Sequence, residues 1–166
     1  MVQGLTDRAV ATLDPGELRA RSEHERKRLN RMRATQEALG ELILERLHRL
    51  PTHVRIPLED GGELLLVHGS PADPAEALTH DMSDEELSAL LGDDPADLVV
   101  CGASHVPFDR TVAGVRIINV GSVGDAPGAG AHIAHATWIE SRPQGLLVEP
   151  VIVPLDSSLT EDVTMA

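Results

Sequence analysis

Aromatic side chains are almost absent from this chain of 166 residues. They make up 1% of it, with no tyrosine, a single phenylalanine and a single tryptophan. Proteins that bind single-stranded nucleic acid usually stack the bases on aromatic rings, so this scarcity argues against such a surface. Apolar residues still account for 42% of the chain. The core therefore has to be built from leucine, valine, isoleucine and alanine.

Cysteine and long apolar runs are scarce as well. Cys101 is the single cysteine, so no disulfide bond can form within the chain. The sequence contains no uninterrupted run of about 18 apolar residues, the length that a membrane-spanning helix needs, and its start does not read as a signal peptide. These features predict a protein of a reducing cytoplasm that does not cross a membrane.

Positive charge is also in short supply. The net charge is -13, with 14 basic against 27 acidic residues, which disfavours binding to nucleic acid and to anionic membranes. Seven of the 14 basic residues lie between Arg19 and Arg33. This cluster is either a solvated helix face with pairs such as Glu23–Lys27 or a contact for an anionic partner, and the overall acidity favours the first interpretation.

The order of periodic segments predicts an α/β fold with a mixed sheet or two stacked sheets. Apolar residues recur at steps of three and four from Leu29 to Leu50, which predicts a helix over residues 17–50 that Pro51 ends. Ser83 and Glu86 form a capping box that starts a short helix. Strand-like runs cover residues 54–58, 63–68, 97–101, 115–120, 133–139 and 146–153. We expect one domain over residues 1–155 and a polar tail over 156–166.

Two histidines stand where apolar strands give way to glycine-containing turns. His68 follows the run Leu64–Val67, and His105 follows the run Leu98–Cys101. Ligands and metals collect at strand ends in α/β folds, so the two imidazoles could converge on one cation. On spacing alone, a histidine that is simply hydrogen-bonded is the more frequent outcome.

Four segments together resemble the calcineurin-like metallophosphoesterases, of the bacterial small phosphodiesterase or phosphatase type. They are Gly4–Ala11, Val67–Pro71, Cys101–Phe108 and Asn119–Gly124, and they follow one another in the order of that family's motifs. The resemblance implies a two-layer β-sandwich flanked by helices and lacking the first strands. It also implies divalent metal ions of the Mn, Zn or Fe class that activate water for the hydrolysis of phosphomonoesters or phosphodiesters.

The same resemblance assigns roles to three residues of this chain. His68 corresponds to a ligand of the family's second metal and His105 to a ligand of the first. Asp7 corresponds to the acidic residue that supports the family's Asn-His pair.

The departures from the family pattern bear on activity. Leu5 stands in place of a metal-binding asparagine, Thr6 in place of the histidine that protonates the leaving group, and Ala103 in place of another metal-binding histidine. The family's first two motifs would precede Met1. One protein ligand per metal is too few for a catalytic pair, so we expect this chain alone to be weakly active or inactive.

Two functions remain open at this point. One is metal-dependent hydrolysis of a small phosphoester, and the other is a noncatalytic pseudoenzyme that binds a ligand or a protein. Because sheet edges left open by absent strands invite pairing, the possible partners include a second copy of the chain or an upstream partner chain.

Four further features have plainer interpretations. The glycine-rich residues 121–130 could cradle a phosphate through backbone N–H groups, but a loop is the simpler interpretation because the segment contains no basic residue. His132 and His135 are expected to be surface or sheet-packing residues. Cys101 is expected to be a buried apolar side chain, and Arg110 a surface arginine.

Overall fold

The structure is a computed structural model, and it describes residues 1–14, 18–94, 96–124 and 133–155. The chain divides into two compact units, Met1–Thr52 and the residues from His53 onward. The predicted tail over residues 156–166 lies outside the described residues, and the prediction of a single domain over residues 1–155 stays a prediction.

The first unit is a pair of helices, α1 (Leu5–Thr12) and α2 (Glu23–His48). Ser22 precedes helix α2 as its N-cap residue, and its hydroxyl accepts a hydrogen bond from the Glu25 N–H at 3.1 Å. The buried Gln3 joins the two ends of the unit. Its N–H donates to the carbonyl of Pro51 at 2.8 Å, and its side chain donates to the carbonyl of Leu47 at 2.7 Å.

The long helix differs from the sequence prediction at its start and in its middle. It begins at Glu23, and Gly40 within it has φ of 71°, outside the helical region. Glycine adopts this left-handed conformation without steric cost. The break changes which residues face inward, because Ile43, expected on the apolar stripe, is 40% exposed while Leu44 is half-buried. Helix α1 was not predicted from the sequence.

The second unit contains a five-stranded mixed sheet, a helix and a separate hairpin. The sheet has the order β1-β2-β3-β5-β4, with β2, β3 and β5 parallel and the two edge strands antiparallel to their neighbours. Strands β6 and β7 form a two-stranded antiparallel sheet. The bounds are β1 (His53–Pro57), β2 (Glu63–Val67), α3 (Asp84–Leu91), β3 (Leu98–Cys101), β4 (Phe108–Val112), β5 (Val115–Asn119), β6 (Ile133–Arg142) and β7 (Gly145–Pro154).

Each face of the five-stranded sheet is covered by a different element. On one face, buried side chains of β2, β3 and β5 pack against Leu87 and Leu91 of α3. On the other face, alternate residues of the same strands pack against the β6–β7 hairpin. The second cluster consists of Leu64, Leu98, Val100 and Ile118 with Ile139, Leu146 and Val148. The predicted α/β fold with two layers of β structure is confirmed.

Of helix α3 and strand β4, only the helix was predicted from the sequence. The predicted capping box is present, since the Ser83 hydroxyl accepts from the Glu86 N–H at 3.2 Å and the Glu86 carboxylate accepts from the Ser83 N–H at 2.8 Å. Strand β4 was not predicted. It is joined to β5 by Ala113 and Gly114, both with positive φ, as in the tight turns that suit hairpins.

None of the helices within the described ranges combines the length and apolar character needed to cross a bilayer.

Candidate functional site

The three parallel strands end side by side at one edge of the sheet. Their register pairs Leu66 of β2 with Val100 of β3, and Cys101 of β3 with Asn119 of β5. The segments that follow these strands, which begin at His68, Gly102 and Val120, are therefore neighbours. This carboxyl edge is where α/β sheets bind ligands, and we call it the carboxyl-edge site.

Backbone hydrogen bonds connect the first two loops of the carboxyl-edge site. The carbonyl of His68 accepts from the N–H groups of Gly102 at 3.1 Å and Ala103 at 2.9 Å. The N–H of His105 donates to the Gly102 carbonyl at 3.0 Å, and His105 has φ of 61°, an uncommon conformation for a residue with a side chain. The structure thus places His68 and His105, both half-buried, on adjacent loops, while their role as metal ligands stays a prediction.

The side chain of Asn119 connects the second loop, which begins at Gly102, to the third loop, which begins at Val120. It is 1% exposed. Its side-chain amide donates to the Ser104 hydroxyl at 2.9 Å and lies 3.6 Å from the Cys101 sulfur, and its side-chain carbonyl accepts from the Gly121 N–H at 2.9 Å. Asn119 belongs to one of the segments that resemble the family motifs, but the sequence did not reveal this structural role.

His135 lies against the third loop. Its N–H donates to the Ser122 carbonyl at 2.8 Å, and a Cβ on Gly121 would lie only 2.7 Å from the His135 Cβ, so a larger residue would collide there. The His135 Nδ1 atom is buried and has no hydrogen-bond partner among the described residues. The interpretation of His135 as a sheet-packing residue therefore matches its surroundings. Residues 125–132, which include His132 and much of the glycine-rich segment, lie outside the described residues.

The other candidate residues make contacts within their own units. In the first unit, the Asp7 carboxylate accepts from the Gly4 N–H at 3.0 Å and so caps helix α1. Its supporting role toward a metal ligand stays a prediction. Leu5 and Thr6 are exposed. In the second unit, Arg110 donates to the Met82 carbonyl at 2.7 Å and pairs with Asp84, so it is bound to the start of α3 rather than isolated on the surface.

The described donors near His68 and His105 are fewer than a divalent metal requires. Over the ranges that the structure describes, no three or more histidine, cysteine, aspartate or glutamate side chains are grouped so that they could hold a metal ion. Protein sites for catalytic zinc supply about three ligands. The described residues around His68 and His105 therefore do not fit the metal pair that the sequence resemblance implies.

Cys101 cannot supply a thiolate to this site at neutral pH. Burial raises the pKa of its thiol to about 12, against a smaller opposite effect of the hydrogen bond from Asn119. A buried neutral thiol behaves as a small apolar side chain, as the sequence predicted.

The raised pKa of Cys101 leads to a prediction about alkaline stability. The unfolded thiol ionises near pH 9, whereas the folded one stays protonated to about pH 12, so the folded state holds more protons in this window. The free energy of unfolding should therefore fall as the pH rises above 9, by up to about 1.4 kcal/mol per pH unit. Urea titrations of the wild type and of Cys101→Ala between pH 8 and about 10.5 measure this. Parallel curves for the two proteins would contradict the assignment.

Comparison with known proteins identifies the family. The sequence profile of the calcineurin-like phosphoesterase superfamily domain matches residues 1–139. Hypothetical protein PH1004 from Pyrococcus horikoshii OT3 is similar in structure, with a TM-score of 0.76 and 22% identity over 98% of this chain and 65% of that one. A metallophosphoesterase from Sphaerobacter thermophilus is also similar, with a TM-score of 0.64 and 20% identity over 90% of this chain and 64% of that one.

The two solved structures support the fold alone at these identities, and this chain spans slightly less than two thirds of the length of each. No curated protein sequence matches it. The family profile covers most of the chain and contains the segments at the carboxyl-edge site, so the chain belongs to the calcineurin-like phosphoesterase superfamily.

Proposed function

We propose that this chain, by itself, is a noncatalytic member of the family that keeps the fold in order to bind a ligand or a partner protein. The observation that supports this most directly is the donor count at the carboxyl-edge site. His68 and His105 are on adjacent loops, yet no group of three metal-binding side chains exists among the described residues.

The chemistry of the site agrees with this proposal. Two closely spaced dications need carboxylates to offset their charge, and neither residues 68–72, after β2, nor residues 102–105, after β3, include one. The side chain of Ala103 has no atom that can coordinate a metal. The Cys101 thiol remains protonated because it is buried. Hydrolysis by the family's metal-dependent route would therefore require additional ligands.

A second candidate function is metal-dependent hydrolysis of a phosphomonoester or phosphodiester, with those additional ligands contributed from outside the described residues. The observation in its favour is that the carboxyl-edge site still presents two imidazoles on neighbouring loops, with the unpartnered Nδ1 of His135 beside the third loop. In that case a divalent metal of the Mn, Zn or Fe class would bind at His68 and His105. A cytoplasmic location is part of both proposals.

Metal content and hydrolysis separate the two proposals. The wild type and a His68→Ala, His105→Ala double variant would be dialysed against Mn²⁺ or Zn²⁺, analysed for bound metal, and assayed with p-nitrophenyl phosphate and its bis ester. We expect the two proteins to hold the same background metal and to show no turnover, because too few ligands are present.

A His24→Ala, His48→Ala double variant is the matched control, because it removes two exposed histidines from helix α2. Near-stoichiometric metal that disappears only in the His68→Ala, His105→Ala variant, accompanied by turnover, would refute the noncatalytic proposal and support the second one.

A further inference from the structure

One edge of the β6–β7 hairpin carries backbone groups that have no hydrogen-bond partner among the described residues. In an antiparallel pair, residues alternate between those that bond to the neighbouring strand and those whose N–H and C=O point away from it. His135 lies opposite Ile152, but its N–H donates to Ser122 instead. His135 therefore belongs to the set that points away from β7.

The alternation extends along β6 to Thr137 and Ile139, which lie two and four residues beyond His135 and opposite Pro150 and Val148. Their N–H groups also point away from β7. No described residue accepts a hydrogen bond from either of them. Both residues are half-buried, so a hydrogen-bond partner for their N–H groups would be favourable. With respect to the described residues, this part of β6 is therefore an open edge.

The opposite edge of the hairpin is closed to strand addition. By the same alternation, Pro150 and Pro154 of β7 lie opposite the outward-pointing Thr137 and Ile133, so their nitrogens would face the free edge of β7. Proline has no N–H to donate, and prolines on an edge strand prevent another strand from pairing there. A strand that extends this hairpin has to pair with β6.

The side chains of β6 favour a second copy of this chain as the partner. Trp138, the single tryptophan, alternates with Thr137 and Ile139 and is 61% exposed. The chain has a net charge of -13, which opposes self-association, but no aspartate, glutamate, lysine or arginine occurs between Ile133 and Ile139. An antiparallel edge is also complementary to its own copy across a twofold axis.

We propose that the open edge of β6 at Thr137–Ile139 pairs with the same edge of a second copy, forming a four-stranded sheet across the dimer. The paired edges would satisfy the outward backbone groups of Thr137 and Ile139 in both copies. The two Trp138 side chains would lie on one face near the twofold axis, where each loses exposed surface. This pairing of two copies depends neither on a bound metal nor on hydrolytic activity.

The test is the mass of the full chain in solution by sedimentation velocity. We expect the wild type to sediment as a dimer at micromolar concentrations, with twice the 17.8 kDa mass of the chain. Thr137→Pro removes an outward N–H that β7 does not use, and it should weaken the dimer by at least about tenfold. Ile152→Pro is the matched control, because it places a proline on the edge of β7 that is already closed, and it should leave the dimer unchanged.

Tryptophan fluorescence gives an independent measure, because Trp138 is the single tryptophan. Its emission should shift to longer wavelength when the wild type is diluted and the dimer dissociates. Trp138→Lys alters an exposed side chain, so this variant should fold normally. It should also weaken the dimer, and it therefore tests the proposal even if Thr137→Pro does not fold. A monomeric wild type would overturn the proposal. So would a wild-type dimer whose dissociation constant is unchanged by Thr137→Pro or Trp138→Lys, measured on the variant that folds.

Discussion

Gly69→Ala is expected to lower the free energy of unfolding by about 3 kcal/mol. Gly69 directly follows His68, and a Cβ at this position would lie 2.5 Å from the carbonyl oxygen of Pro74 and 2.7 Å from that of Glu76. Both obstacles are backbone atoms, so no side-chain rotation can relieve the collision. The loop would have to move, and with it the hydrogen bonds that join the buried Ser70 to Asp73 at 2.9–3.2 Å.

The Gly69→Ala effect has a matched control on the next loop of the same edge. At Gly102 an added Cβ would lie 3.7 Å from a Val120 methyl group, an ordinary contact. Gly102→Ala should therefore change the unfolding free energy by less than about 1 kcal/mol. Urea unfolding followed through Trp138, which belongs to the same unit, measures both variants. Equal midpoints for the two variants would show that the loop after His68 adapts freely.

The central strands and the candidate site were predictable because their signals are local. Strands β2 and β3 are buried and parallel, and such strands read as continuous apolar runs, as Leu64–Val67 and Leu98–Cys101 do. The histidine and glycine residues that follow them mark the strand ends. Neighbouring parallel strands then bring those ends together, which is why His68 and His105 are on adjacent loops.

The elements that were missed depend on contacts between distant residues. Strand β4 carries Asp109 and Arg110 and has a mixed burial pattern, so it is recognisable as a strand mainly through its pairing with β5. The break at Gly40 is similarly hidden, because an isolated glycine is compatible with a helical pattern. The role of Asn119 arises from Ser104 and Cys101, which are 15 and 18 residues away in the sequence.

The carboxyl-edge site combines a well-connected backbone with few metal donors among the described residues. The backbone bonds at His68 and the side-chain bonds of Asn119 hold three loops in place, whereas the donors that a metal pair needs are not grouped among the described residues. Loop geometry and metal ligation make separate demands on the sequence. A chain that meets only the first can retain a shaped surface for binding.

Asn119→Ala is expected to cost about 3 kcal/mol of unfolding free energy. Asn119 is fully enclosed, so its removal leaves a cavity and strips the Gly121 N–H of its acceptor and the Ser104 hydroxyl of its donor. A buried N–H without a partner is costly because water cannot replace the lost bond. The loops that begin at Gly102 and Val120 would lose the side chain that connects them.

Hydrogen exchange at the Gly121 amide separates this explanation from a simple cavity effect. In Asn119→Ala the amide should exchange much faster than in the wild type, measured against the amides of central strand β3 as an internal reference. Ser104→Ala is the matched control, because it removes one partner of Asn119 while the bond from Gly121 to the Asn119 carbonyl remains. It should cost about 1 kcal/mol and leave exchange at Gly121 slow. If Gly121 exchanges equally fast in both variants, Asn119 does not hold the third loop in place.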